Sequence, residues 1–368
     1  MSKTARYIFI IAGVIILGFI LWYFKSIVAC ILISLVLSLI GHPVVTFLGK
    51  LKIGRISLPK ALRAFVTLIL LWVVFFIFFR IFVPLVINEA NDLSKINIQV
   101  IVDNLDEPLK KIDKFIGKFK MSPSDKVSVK DFFTDKLASV LNITAFSGII
   151  STITSLMGNI FIAVLAISFM TFFFLKDEKM FTESIILLVP DKHVNAFRHA
   201  LTSVRKLLMR YFIGILVQIT GIIILVTAGL TIVGVGFSHS LLIGFLAGIL
   251  NVIPYLGPLL GSTLGVILGV ATHLQMDFYS ELLPMIGYMI LVFVIVHVID
   301  NVVSQPIIYS SSVNAHPMEI LLILMIAGSL AGIPGMILAI PSYTVLRVFA
   351  KEFFNKFKVV KKLTEKIE

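Results

Sequence analysis

Long apolar runs alternate along this chain with short polar stretches in which lysine and arginine predominate. About twenty consecutive apolar residues make a helix that crosses a bilayer. By that measure residues 7–24, 27–48, 64–87, 149–175, 211–233 and 284–303 predict six full spans. Between the third and fourth, residues 88–148 turn polar with both charge signs mixed. There Ile101, Leu105, Leu109, Ile112, Ile116 and Phe119 recur at helical spacing and predict a small helical extracytoplasmic insert. A further amphipathic helix, cationic on one face and suited to the inner membrane surface, is expected just before residue 211.

Two more apolar blocks do not fit a plain span. Residues 241–272 carry no formal charge but are cut by Asn251, Pro254, Tyr255, Gly257 and Pro258, and residues 318–349 are cut by Gly328, Gly332, Pro334 and Gly335. Proline removes a backbone donor and opposes helix continuation, and glycine admits turns that other residues resist, so both blocks must break. Each arm of the first block, about thirteen residues, is roughly 20 Å long, short of the roughly 30 Å of hydrocarbon. Backbone groups freed at such a break cost several kcal/mol each in lipid unless protein or a water-filled cavity surrounds them. The expectation is therefore an all-α polytopic membrane protein with six full spans and two re-entrant broken-helix hairpins, one entering from each side. One long kinked helix or a pair of short tilted spans is the alternative for the first block, and a single crossing for the second.

Composition supports the membrane class: 58% of residues are hydrophobic and 14% charged, with a mean hydropathy of +1.05. The net charge of +12 does not point to nucleic acid, because the cations flank apolar segments instead of forming a basic domain. Lys50, Lys52, Arg55, Lys60 and Arg63 follow the second run without an acid among them, and Lys351, Lys356, Lys358, Lys361, Lys362 and Lys366 close the chain. Both clusters, and with them both termini, are expected inside. Residues 7–24 are expected to stay as a first span and not be cleaved as a leader. The single cysteine, Cys30, excludes an internal disulfide. With no phosphate-binding loop, metal cluster or nucleophile motif, the chain is read as a non-enzyme without metal or cofactor. The expected organisation is N-terminal spans over 1–87, the insert over 88–148, spans four and five over 149–240, a core with both hairpins over 241–350, and a basic tail over 351–368.

Candidate chemistry lies at the two breaks. Half-helices expose peptide groups and directed dipoles at their tips, which bind ions or polar solutes without many charged side chains, the pattern of a secondary transporter's central site. Candidate substrate-binding residues are Asn251, Pro254, Tyr255, Gly257 and Pro258 on the first tip and Gly332, Pro334 and Gly335 on the second. Asp300, beside Asn301, is an acid near the end of a span, a functional candidate for ion coupling or for binding a hydroxylated solute. The competing readings are packing glycines with structural kinks, and an interfacial acid. His297 shares a helix face with Asp300, and Glu319 is expected to cap the second hairpin's first arm.

The segments NVIPYLGPLLG, DNVVSQPIIYSSSVNAHP and LLILMIAGSLAGIPGMILAIP resemble the autoinducer-2 exporter family of bacterial membrane proteins, and the likeness extends along almost the whole chain. The resemblance implies a multi-pass inner-membrane permease, a homo-oligomer with a pentamer as the expected number, and transport of the small signalling molecule autoinducer-2 in quorum sensing. It also implies an alternative, since some members are described as sodium or lithium/proton antiporters, with Asp300 as the coupling residue here. The expected partners are membrane lipid and a small polar solute or monovalent cation, and no nucleic acid. A non-transporting scaffold whose outer insert recruits a partner is the reading from another class.

Overall fold

The computed structural model describes residues 22–53, 56–94, 161–187, 189–304 and 316–354, with scattered positions from 12 to 20. The start of the first predicted span with scattered positions along it, most of the polar insert, the start of the fourth span, residues 305–315 and most of the basic tail lie outside them. Among the described residues the fold is helical apart from one small ladder. Helix α1 (Lys25–Lys50) is joined to α2 (Lys60–Ser94) by strands β1 (Lys52–Ile53) and β2 (Ile56–Ser57), paired antiparallel with Ile53 opposite Ile56. Then come α3 (Phe161–Lys176), α4 (Glu178–Ile186), α5 (Val194–Val233), α6 (Phe237–Leu250), α7 (Leu256–Ala271), α8 (Leu283–Ile299) and α9 (Pro317–Phe354). Five described helical stretches are long and apolar enough to cross a membrane: Lys25–Lys50, Lys60–Asn91, Asp191–Val233, Phe278–Ser304 and Met318–Phe354.

The expected surface helix before residue 211 and the fifth span are a single helix. α5 runs for 40 residues without interruption, because KLLMRYF offers neither proline nor glycine at the junction and consists largely of good helix formers.

The chain divides into two compact units, Met1–Phe75 with Ser155–Phe212, and Phe76–Thr154 with Ile213–Glu368. The first is held by small and polar side chains between helices. Ser34 Oγ donates to the carbonyl of Ile167 at 3.2 Å, Trp72 Nε1 donates to Ser168 Oγ at 3.0 Å, and a Cβ built at Gly41 would come within 2.9 Å of Thr67. Where lipid is as apolar as leucine, close approach and interhelical hydrogen bonds replace the hydrophobic drive as the glue.

The second unit has an apolar core. Along α5 the buried stripe is Ile215, Gln218, Ile222, Val226 and Leu230, and along α8 it is Met285, Met289, Phe293 and Val296, both at helical spacing. Phe78 and Phe82 of α2 pack on Phe245 of α6, with ring centroids 5.5 and 5.9 Å apart.

The first predicted hairpin is present as two arms of 14 and 16 residues. They touch through a ladder of glycines on α7. A Cβ at Gly257 would collide with the Leu250 carbonyl, one at Gly261 would lie 3.0 Å from Ala247 Cα, and one at Gly265 would lie 2.7 Å from Ile243. The second block also folds back. Ala331 and Gly332 leave the helical region inside α9, Gly332 at φ 60° and ψ −146°, a conformation that only glycine adopts readily. Beyond this break Gly335 lies against the Ala327 carbonyl, and Tyr343 Oη donates to Glu319 Oε2 at 2.7 Å. In a straight helix those two side chains would stand about 36 Å apart, so the arms are antiparallel. Glu319 is in the first turn, and its carboxylate ties one arm to the other.

Candidate functional site

The first break is built from the residues singled out for it. Asn251 continues the α6 spiral, its amide donating to the Ala247 carbonyl at 3.0 Å. The chain then reverses through Tyr255, which sits at φ 65° and ψ −47° and is the only non-glycine residue at positive φ among the described residues. The Leu256 amide donates back to the Pro254 carbonyl at 2.8 Å. Together these make a γ-turn of the rare, strained kind. Strain of this sort costs on the order of 1–3 kcal/mol and persists only where the surroundings enforce it. Here the two prolines and the backbone contact at Gly257 enforce it. Pro258 falls in the first turn of α7, where its missing N–H leaves no hydrogen bond broken. Tyr255 itself is exposed and Pro254 is buried.

Asp300 ends the buried stripe of α8. It opens a short π-helical segment, Asp300–Ser304, and is 2% exposed. Gln218 Nε2 donates to its Oδ1 at 2.8 Å and its Oδ2 at 3.0 Å, and Asn251 Nδ2 donates to Oδ2 at 3.3 Å. Gln218 and Asn251 are each 5% exposed. One buried carboxylate thus joins α5, the tip of the first hairpin and the end of α8. His297, one turn before Asp300, stacks on Phe293 at 6.3 Å and hydrogen-bonds through neither ring nitrogen, although both are buried. It does not pair with Asp300. The Pro258 carbonyl neighbours the ring, outside hydrogen-bonding geometry. A cleft of about 360 Å³ opens beside the ring, with Ser262, Thr263 and Ile267 of α7 on its other wall.

The remaining predicted positions are placed differently. Asn301 is exposed and takes no part in the buried network. Gly332 and Pro334 lie at an exposed tip, Gly335 is half-buried, and no heavy atom comes within 4 Å of a Cβ built at Gly332. Among the described residues the first tip hydrogen-bonds to Asp300 through Asn251. The polar groups of the second hairpin gather further along its arms, where Arg347, 7% exposed, lies over the Tyr343 ring at 5.9 Å.

Gln218 went unread in the sequence although it carries two hydrogen bonds of the cluster. The signal was available: it is an amide set in the apolar period of Ile215 and Ile222, in a helix where each buried polar group needs a partner. Among the described residues no group of three or more His, Cys, Asp or Glu side chains could hold a metal ion.

A family model described as AI-2E family transporter matches residues 8–355. Three proteins of Bacillus subtilis (strain 168), each named "Putative transport protein", are similar to this chain. YrrI is 26% identical over 336 residues, which is 90% of this chain and 88% of its own length. YueF is 27% identical over 215 residues, 58% of this chain and 54% of its own length, and YtvI is 30% identical over 191 residues, 51% and 48%. The matched stretch therefore spans about half the length of YueF and of YtvI.

Proposed function

The chain belongs to the AI-2E family of transporters, and from that premise we propose that it is a secondary transporter of the bacterial inner membrane. It exports a small polar solute by alternating access around its two hairpins. The observation that carries this reading is Asp300, buried and held by the amides of Gln218 and Asn251 where a hairpin tip meets the end of an apolar helix. A carboxylate removed from water costs several kcal/mol unless donors surround it, and inside a membrane such groups mark the path of a passenger or ion. Asn251 belongs to the tip and Asp300 to the neighbouring span. Movement of the hairpin makes or breaks this contact, as alternating access requires.

Both hairpins are read as re-entrant, both termini as cytoplasmic, and the assembly as a homo-oligomer, with a pentamer as its number. Autoinducer-2 is the solute that the family likeness favours. Its hydroxyl groups would donate to Asp300 and accept from Gln218 and Asn251. In proteoliposomes screened with small diols, sugars, amino acids and monovalent cations, Asp300→Asn should remove flux of the transported solute while the protein stays folded. Undiminished flux would take Asp300 out of the site.

The same buried carboxylate favours a second reading, sodium or lithium exchange against protons with Asp300 as coupling residue. Cation-driven proton flux that disappears in Asp300→Asn, with no solute moving in either protein, selects it. Absence of any flux, together with capture of a defined partner by the outer insert, would instead make the chain a scaffold.

A further inference from the structure

The ends of three apolar helices converge in the first unit. α1 finishes at Lys50, α2 begins at Lys60, and α3 finishes at Lys176. Between them lies a cleft of about 710 Å³ into which Lys50, Lys60, Arg63, Lys176 and Lys179 turn, against the two carboxylates of Asp177 and Glu183. Lys176 meets Asp177 at 3.4 Å. Lys50, Lys60 and Lys179 are exposed and have no carboxylate partner among the described residues. Like charges brought together without counter-charge repel, so this arrangement is incomplete without an anion.

Arg63 is already placed for one. Its Nε donates to the Leu58 carbonyl at 2.6 Å, and its guanidinium lies over Gly49, where a Cβ would come within 2.5 Å of it. With one edge fixed by the backbone, the remaining N–H groups present a planar fork that suits phosphate oxygens. The surroundings of the cleft are apolar. Leu175 forms part of its wall, and Phe47, Leu62 and Met180 nearby are exposed. A ligand with a phosphate head and hydrocarbon tails satisfies both halves of this surface, whereas a free phosphate satisfies only the first. Clusters of lysine and arginine at the ends of membrane helices are the recognised chemistry of anionic headgroups. We propose that this cleft is a specific binding site for the phosphate group of an anionic phospholipid.

The test uses the full-length protein in neutral detergent, titrated with phosphatidylglycerol or phosphatidylcholine and followed by native mass spectrometry and by thermal midpoint. The triple variant K50Q/K60Q/K179Q changes only exposed side chains, and G49V leaves every charge in place while displacing Arg63. As control, K192Q/R198Q/K206Q removes three exposed cations of the same unit outside the cleft. Phosphatidylglycerol should bind and raise the midpoint. Each juxtamembrane lysine contributes about fivefold, so the cleft triple should weaken binding roughly a hundredfold. G49V should weaken it by a smaller factor, the control should change it little, and phosphatidylcholine should be indifferent to all three. Equal binding of the two lipids, or equal loss in the two triple variants, would overturn the site in favour of diffuse attraction. Millimolar inorganic phosphate reproducing the stabilisation with the same dependence on the lysines would overturn the lipid assignment.

Discussion

Replacing Gln218 by Leu tests the buried cluster most directly. Leucine has nearly the volume of glutamine and belongs to the apolar stripe formed by Ile215 and Ile222, so packing is kept while both donors to Asp300, at 2.8 and 3.0 Å, are lost. A hydrogen bond to a charged group contributes about 1.5–3 kcal/mol net, equivalent to roughly 10- to 150-fold in the folded population. Asp300→Leu removes the same interaction from the other side, by taking away the acceptor. Each single change should therefore cost about that amount in the free energy of unfolding by sodium dodecyl sulfate, measured alongside solute flux. The double variant Q218L/D300L should cost about 1.5–3 kcal/mol less than the sum of the two. The exchanged pair Q218E/D300N restores a carboxylate facing an amide and should recover most of the stability. Single changes that add to within about 0.5 kcal/mol would show that the amide does not support the carboxylate.

The fold-back of α9 predicts that E319C/Y343C, in a Cys30→Ser background, cross-links with a short bifunctional maleimide, which a straight helix would not permit. Gly257→Ala should destabilise by about 1–3 kcal/mol in the same unfolding assay, since its new Cβ meets the Leu250 carbonyl. Tyr255→Gly should stabilise by about 1 kcal/mol by releasing the γ-turn, and a loss of stability would refute the strain. At the start of the turn before α8, Asp277 accepts from the Ser280 amide and hydroxyl and from the Tyr279 amide, which hold its carboxyl below the ordinary aspartate value of 3.8. A depressed carboxyl stabilises above its unfolded value and ceases to as pH falls through its folded one. Protection of the Tyr279 and Ser280 amides relative to intrinsic exchange should fall only on acidification below about 3.8, and Asp277→Ala should abolish that dependence.

The breaks at Asn251–Pro258 and Gly332–Gly335 were legible because proline and glycine act through the backbone, whatever the tertiary surroundings. The acid at 300 was legible because a carboxylate in an apolar helix demands an explanation. What it touches was not. Gln218 is 82 positions away, and no periodicity along one helix specifies which neighbour an amide will face. The continuity of α5 past residue 211 was missed for a related reason. Hydropathy marks where a helix enters lipid, not where it begins. The exposed second tip also lay beyond sequence, since a fractured segment fixes its own turn but not what packs on it.

The glycine ladder of α7 has a consequence for how this chain can change length. One residue added between Asn251 and Leu256 would turn α7 by about 100°. Leu260 and Leu264 would then occupy the seam where Gly261 and Gly265 now admit Ala247 and Ile243. The tip is thus intolerant of insertion and deletion, while the polar stretch at 272–277 can lengthen without disturbing that seam. Relatives should vary in size on the second side of this hairpin and keep the count of residues in its bend.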